Sequence, residues 1–530
     1  MQNSFYLLIK KIADDTIIFK IRGVWFMFKI ITADEAANLI KDGDCIGINS
    51  FLALANPSEL HNGIMRRFKD KGHPSNLELF CAAGFGGWDE NLFADQYVKV
   101  GAVKKITASH YNSMPAVMQK ILDNKIEAYC MPLGILSHSI RAAAARHDYY
   151  FSKIGLNIFV DPRLDGPALN ECSKEMPVKL IDILGEEYLS YKTPKIDVAL
   201  IKGTAADPNG NISFENENVT VDAFSLAQAT KNNGGIVIVQ VEKVSHVFSR
   251  PRNVIVPGIL VDAVVVCDKV PNIQKYNPVL SGDIHVPPTQ MDYWMSKLNP
   301  SGKRSKESED KTADIIGRRA AKELKPGNIV NIGIGIPELV GKYASELGIL
   351  KNITLTVEAG GIGGLPAPGV AFGSTIGSDM ICDMAMQFDF YDGGGLDICF
   401  MGAIEADKYG NVNAHRVGKK FPGIGGFANI TAKTKNVVFC LSFTAKGLIA
   451  KEKNGKINIE TEGTIKKFKS KIDGISFSAK NALRNNQNVL YVTERCVFKL
   501  TDKGLKLIEI YDGIDKQKQV LDMLDFKPIE

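Results

Sequence analysis

The sequence predicts an α/β protein made of two homologous open α/β domains, with mainly parallel sheets and an active site at their interface. Three observations predict it. The chain has 530 residues, more than one hydrophobic core serves. Several separate segments recur, in order, in its second half. Its apolar runs, such as 235–241 (GIVIVQV) and 436–441 (NVVFCL), are continuous rather than alternating, as strands buried on both faces are.

In chain order, residues 1–26 come first. Apolar pieces at 6–9 and 24–26 are broken by Lys10, Lys11, Asp14, Asp15, Lys20 and Arg22. No uncharged stretch approaches the roughly 20 residues of a membrane span, and no apolar region with a cleavage site follows. These residues read as an extension outside the fold. The lack of an export signal gives a cytoplasmic expectation with no membrane partner.

The first half is expected over 27–298, starting at 27–30 (MFKI). A helix-like run at 33–40 leads to a Gly turn at 41–44 (KDGD), a strand at 45–49 (CIGIN) and a helix opening at 57–60 (PSEL). Then come 76–79 (NLEL) and 82–84 (AAG), and later 197–203 (DVALIKG) with 206–211 (ADPNGN). A polar, charged stretch with Pro and Gly at 299–312 reads as a linker. The second half, 313–530, repeats the scheme. A helix-like run at 313–324 precedes 325–328 (KPGN), 329–333 (IVNIG) and 337–339 (PEL). Residues 352–355 (NITL) run on to 358–360 (EAG), and 397–402 (DICFMG) precedes 406–411 (ADKYGN). Position 358 is a glutamate where its counterpart, Ala82, is not, so a carboxylate-based reaction would belong to the second half alone.

Composition removes several classes. A net charge of +5 on this length does not make the basic stripe that a nucleic-acid partner requires. Nine cysteines, an odd number without a C-x-x-C pair, read as buried thiols rather than disulfides or metal ligands. The histidines are scattered singly, without H-E-x-x-H spacing, so no metal is expected. There is no G-x-S-x-G nucleophile elbow.

Glu358 follows a β-branched run at 353–357 (ITLTV) and opens a glycine-rich stretch at 359–366 (AGGIGGLP). It therefore stands at the carboxyl end of a strand, where open α/β sheets bind ligands. A glutamate there often only caps its loop or pairs with a lysine. Two more glycine loops, 333–337 (GIGIP) and 423–427 (GIGGF), argue for more, because exposed backbone N–H groups hold oxyanions or phosphates. The first of them is not a dinucleotide fingerprint, since Glu338 replaces the third glycine.

These residues resemble the family I coenzyme A transferases, in the single-chain form of the acetate, propionate and short-chain acyl-CoA:carboxylate enzymes. The resemblance runs from about Phe28 to Glu530. It is carried by 127–129 (EAY) with 132–134 (PLG), 159–163 (FVDPR), 206–211 (ADPNGN), 357–360 (VEAG), 423–427 (GIGGF) and 491–495 (YVTER). It implies that Glu358 attacks an acyl-CoA carbonyl and that a glutamyl-CoA thioester forms, in ping-pong kinetics without cofactor or metal. It further implies an oxyanion hole near Gly425 and Gly426, and coenzyme A contacts at Asn331, Ile332, Gly333, Ile334, Gly335, Gly360 and Gly402. Lys419, Lys420 and Lys433 are weaker expectations for the CoA phosphates. The partners expected are acyl-CoA and short-chain carboxylates (acetate, propionate, butyrate or a 3-oxoacid), in a homodimer or homotetramer. Leu133 departs from a pattern in which some relatives carry a side-chain amide, so any donor on that loop would be a backbone N–H. Two other readings remain open here: an acyl-CoA hydrolase using the same glutamate, and a non-catalytic ligand sensor. The sensor would want a basic helix-turn-helix, and residues 1–26 are too short and apolar for one.

Overall fold

A computed structural model describes residues 28–270, 277–282, 286, 290, 293 and 310–530, together with the backbone of three N-terminal strands. Most of the expected linker, 299–309, lies outside the described residues.

The first half is built on a ten-stranded sheet. Its path carries β1 (Lys29–Ile30), β2 (Cys45–Ile48), β3 (Leu77–Cys81), β4 (Val103–Ala108), β5 (Glu127–Cys130), β6 (Val198–Ala206), β7 (Ile236–Val244) and β8 (Ala263–Val266). Their spatial order is β1-β8-β7-β6-β2-β3-β4-β5, and every neighbouring pair is parallel. All nine residues of β6 are buried, including Lys202, whose ammonium pairs with the buried Glu217 carboxylate.

In the second half, β9 (Ile329–Ile332), β10 (Thr354–Thr356), β11 (Ile398–Gly402), β12 (Asn436–Cys440) and β13 (Asn488–Val492) form the parallel core of a nine-stranded sheet. Their order is β10-β9-β11-β12-β13. It repeats β3-β2-β6-β7-β8 of the first half strand for strand, and the antiparallel pairings of this sheet are confined to its two ends.

The recurrence extends to single hydrogen bonds. Asp197 accepts from the N–H of Cys45, and Asp397 accepts from the N–H of Ile329, both at 2.9 Å. Each aspartate thereby ties the start of β6 or β11 to its central neighbour. The turns after these strands also match. Asp207 binds Asn211 through its backbone N–H and its side-chain amide, and Asp407 binds Asn411 in the same way.

One hydrophobic core runs through both halves, from Phe28 to Leu524, and a second lies within the C-terminal half. The halves are joined by the first-half helix Leu133–Ala144 packing on the second-half helices Met384–Asp392 and Phe427–Lys433. Residues 8–12, 16–21 and 24–26 form a small antiparallel sheet that pairs with neither main sheet among the described residues. Among the described residues, no helix is long and apolar enough to cross a membrane.

Candidate active site

β10, β9 and β11 are adjacent and parallel, so their carboxyl ends make one rim. Asn331 and Ile332 end β9, Gly402 ends β11, and Glu358 follows shortly after Thr356 at the end of β10. The glutamate is partly exposed. Burial pushes its carboxyl above the usual carboxylate range, opposed by its own backbone N–H and the Asn331 amide, and among the described residues no charged group shifts it. Asn331 itself is buried and donates to the Thr356 carbonyl at 3.1 Å.

Gly426 is the N-cap of helix Phe427–Lys433, and its backbone lies against the glutamate: a Cβ placed there would sit 3.5 Å from Glu358 Cγ and from Phe388 Cζ. The first half holds this loop in place. The Ser109 carbonyl, just beyond β4, accepts the N–H groups of Ile424 at 2.8 Å and Gly425 at 3.0 Å. The Leu133 N–H donates to the Gly425 carbonyl at 2.9 Å, and the Gly134 N–H to Asn429 Oδ1 at 3.1 Å. Gly423 has φ +96°, and any side chain on it would run into the Ser109 carbonyl.

The structure places the expected site residues as follows. The Gly425 N–H is committed to the Ser109 carbonyl, whereas among the described residues no such bond engages the Gly426 N–H. The N–H groups of Leu133 and Gly134 are committed too, so neither replaces a missing side-chain amide. In the 333–337 loop, Gly333 donates to Phe400 and Gly335 to the Glu338 carboxylate, which leaves the half-exposed Ile334 as the open position. Asn331 donates to the Thr356 carbonyl at 3.1 Å, and Ile332 belongs to the second-half core. Gly360, at φ +116°, faces a close approach of the Cys382 carbonyl. Gly402 does lie beside the open loop, its Cβ direction 3.7 Å from the Ile334 carbonyl. Lys433 is at the far end of its helix with its ammonium on Asn485, and Lys419 and Lys420 are exposed on the segment just before the 423–427 loop.

A glutamate without an ion pair among the described residues, at the carboxyl rim of a parallel sheet and against a glycine backbone, matches the group-transfer reading. A model of the coenzyme A transferase family matches residues 30–267 and 314–514, and the chain belongs to that family of transferase enzymes. It is 40% identical to the caffeate CoA-transferase of Acetobacterium woodii over 95% of each chain. It is 38% identical to the acetate CoA-transferase YdiF of Escherichia coli K12, over 94% of this chain and 92% of that one. The crystal structure of the acyl-CoA transferase YdiF apoenzyme from Escherichia coli O157:H7 superposes with a TM-score of 0.85 at 36% identity, over 95% of this chain and 93% of that one. The thioester complex of that enzyme with CoA superposes equally well, with a TM-score of 0.85.

Sequence reasoning missed Ser109, Asn429, Thr356 and Tyr391. Ser109 acts through its backbone carbonyl, which carries no residue signature. Tyr391 shows only as an apolar position in the run 384–392 (MAMQFDFYD), and its hydroxyl gains meaning once the helix is packed beneath β9 and β10.

Proposed function

We propose that the protein transfers coenzyme A between an acyl thioester and a free monocarboxylic acid, through a thioester on Glu358. The ionised carboxylate attacks the acyl-CoA carbonyl and CoA thiolate leaves, giving an acyl-glutamyl anhydride. The thiolate then attacks the glutamyl carbonyl, which forms glutamyl-CoA and releases the first acid. The second acid runs the sequence backward. Thioester is exchanged for anhydride and back, so the scheme requires no cofactor. The Gly426 N–H is the oxyanion donor of this scheme, a contribution worth about 3 kcal/mol of barrier in such sites.

The observation that carries the reading is the placement of Glu358: no ion pair, a raised carboxyl pKa, and Gly426 against its side chain. Kinship with YdiF, whose thioester complex with CoA is known, supports the intermediate. Kinship with enzymes named for caffeate and for acetate supports a monocarboxylate acceptor, from short-chain acids to a hydroxycinnamate. The enzyme acts in the cytoplasm as a homo-oligomer in this reading.

Glu358→Ala is expected to abolish exchange. Wild type incubated with acyl-CoA, then quenched with borohydride or hydroxylamine, is expected to carry a modification at Glu358 by peptide mass, and the variant none. Normal turnover by the alanine variant overturns the proposal. Loss of acyl-CoA at the same rate with and without added acid would instead show hydrolysis. A panel of acetate, propionate, butyrate and caffeate, scored by acyl-CoA mass, identifies the acceptor.

A further inference from the structure

A cavity of about 440 Å³ lies between the two halves, large enough for a small organic ligand. The first half contributes loop 153–158 and turn 185–187 to its walls. The second contributes one face of helix Phe427–Lys433, residues 476–478 and part of 481–487. The helix begins beside Glu358 at the carboxyl rim and ends three residues before β12, and Gln487 directly precedes β13. The cavity therefore sits at the amino edge of the second-half sheet. One five-residue strand, about 16 Å, separates that edge from the catalytic rim.

The two walls are fixed to each other. Asn157 Nδ2 donates to Asn481 Oδ1 at 2.9 Å, and Asn481 Nδ2 donates to the Leu156 carbonyl at 2.6 Å. Their charges do not balance. On the first-half wall each charge is spent: Lys153 pairs with Glu186 at 2.9 Å, and Glu187 with Arg163 at 2.7 Å. On the second-half wall Lys433 meets only the neutral Asn485 amide oxygen, at 3.1 Å. Arg484 has no hydrogen-bond or ion-pair partner among the described residues. Both cations end short helices, and a helix end carries only about half an elementary charge, so it neutralises neither. Ser478, 5% exposed, lines the same cavity. Its oxygen accepts the Asn481 N–H at 3.4 Å, which leaves the hydroxyl proton free to donate. Ile154 and Phe477 give the cavity an apolar side, which suits an organic ligand better than an inorganic ion.

We propose that this cavity is a second ligand site, separate from the catalytic cleft, and that it takes a small organic dianion such as a sugar phosphate or a dicarboxylate. Arg484 and Lys433 meet the anionic groups, and the Ser478 hydroxyl donates to a ligand oxygen. The helix that carries Lys433 presents Gly426 to Glu358 at its other end. An occupant therefore touches an element of the catalytic rim without entering the cleft.

The test is titration calorimetry on the full chain with ribose 5-phosphate, succinate and uncharged ribose. One dianion is expected to bind at one site per chain, and ribose is not. Binding by ribose 5-phosphate alone assigns a phosphate ligand, and binding by succinate alone a dicarboxylate. Arg484 is exposed, so Arg484→Ala keeps the unliganded Tm, and it is expected to weaken binding by about tenfold or more, as loss of a charge-assisted hydrogen bond does. Lys433→Ala weakens it as well. Saturating acetyl-CoA leaves the affinity unchanged. No binding of either dianion at up to about 10 mM overturns the proposal. So does binding that both alanine variants retain in full. Displacement by acetyl-CoA also overturns it, because the dianion then occupies the catalytic cleft.

Discussion

Glu358 acquires its character from its surroundings rather than from a partner. Burial alone raises its pKa, so it is a better nucleophile once ionised and is harder to ionise. The Gly426 backbone faces it at contact range. Gly426→Ala is a clean probe because φ is −77°, which any residue adopts. The added methyl meets Glu358 Cγ at an ordinary 3.5 Å and Ile430 Cδ1 at a tighter 3.1 Å, where the flexible end of the isoleucine side chain gives way. It occupies the space beside the reacting carboxylate, and a small misplacement there costs about tenfold to a hundredfold in rate. Unchanged thermal stability with a kcat lowered by that factor is the expected outcome, and wild-type kcat counts against the oxyanion role.

At the scale of elements, helix Met384–Asp392 links the two halves to the catalytic rim. Its N-cap Asp383 accepts from the Ala385 N–H at 2.9 Å. Its Asp389 takes a bidentate pair from Arg141 of the first half, at 2.9 and 3.0 Å. Both partners are about half exposed, so the pair contributes only about 1 kcal/mol or less. Asp392, its last residue, is more consequential. Burial and the nearby Asp389 charge push its carboxyl up to about 7, against the hydrogen bonds from Asn429. His138 Nδ1 lies 3.7 Å from Asp392, and burial holds the imidazole pKa below its usual value. The folded state therefore keeps a proton that the unfolded chain releases at about 3.8. That contribution is complete below the unfolded value and is lost as pH rises toward about 7. Wild-type Tm is expected to decline between about pH 4 and pH 7, and Asp392→Asn, which cannot ionise, to flatten that decline. Parallel Tm–pH curves for the two proteins would contradict it.

Across the whole molecule, each half completes the other. The second half supplies Glu358 and the glycine loop, and the first half supplies the Ser109 carbonyl that holds that loop. Gly423→Ala tests this division. Its Cβ enters the space of the Ser109 carbonyl, at a φ of +96° that disfavours side chains. Loss of thioester trapping together with a lowered Tm is expected, and full trapping would show that the contact between halves is dispensable for the chemistry.

The duplication, the parallel sheets and the strand-end position of Glu358 were legible in the sequence for a physical reason. Continuous apolar runs report burial on both faces, and a carboxylate entering a glycine turn after such a run marks a strand end. The Asp197 and Asp397 segments are readable for the same reason: their hydrogen bonds are local to a repeated strand pair. Which backbone donors stay free was not legible. Gly425 and Gly426 are identical residues in sequence, and only the approach of Ser109 from the other half engages one and not the other. Nor could the sequence connect Tyr391 with Asn331, which are far apart along the chain and meet only when a helix packs under two neighbouring strands. Periodicity encodes what each segment buries. The hydrogen bonds that tune the site cross between segments, so the packing of the two halves decided them.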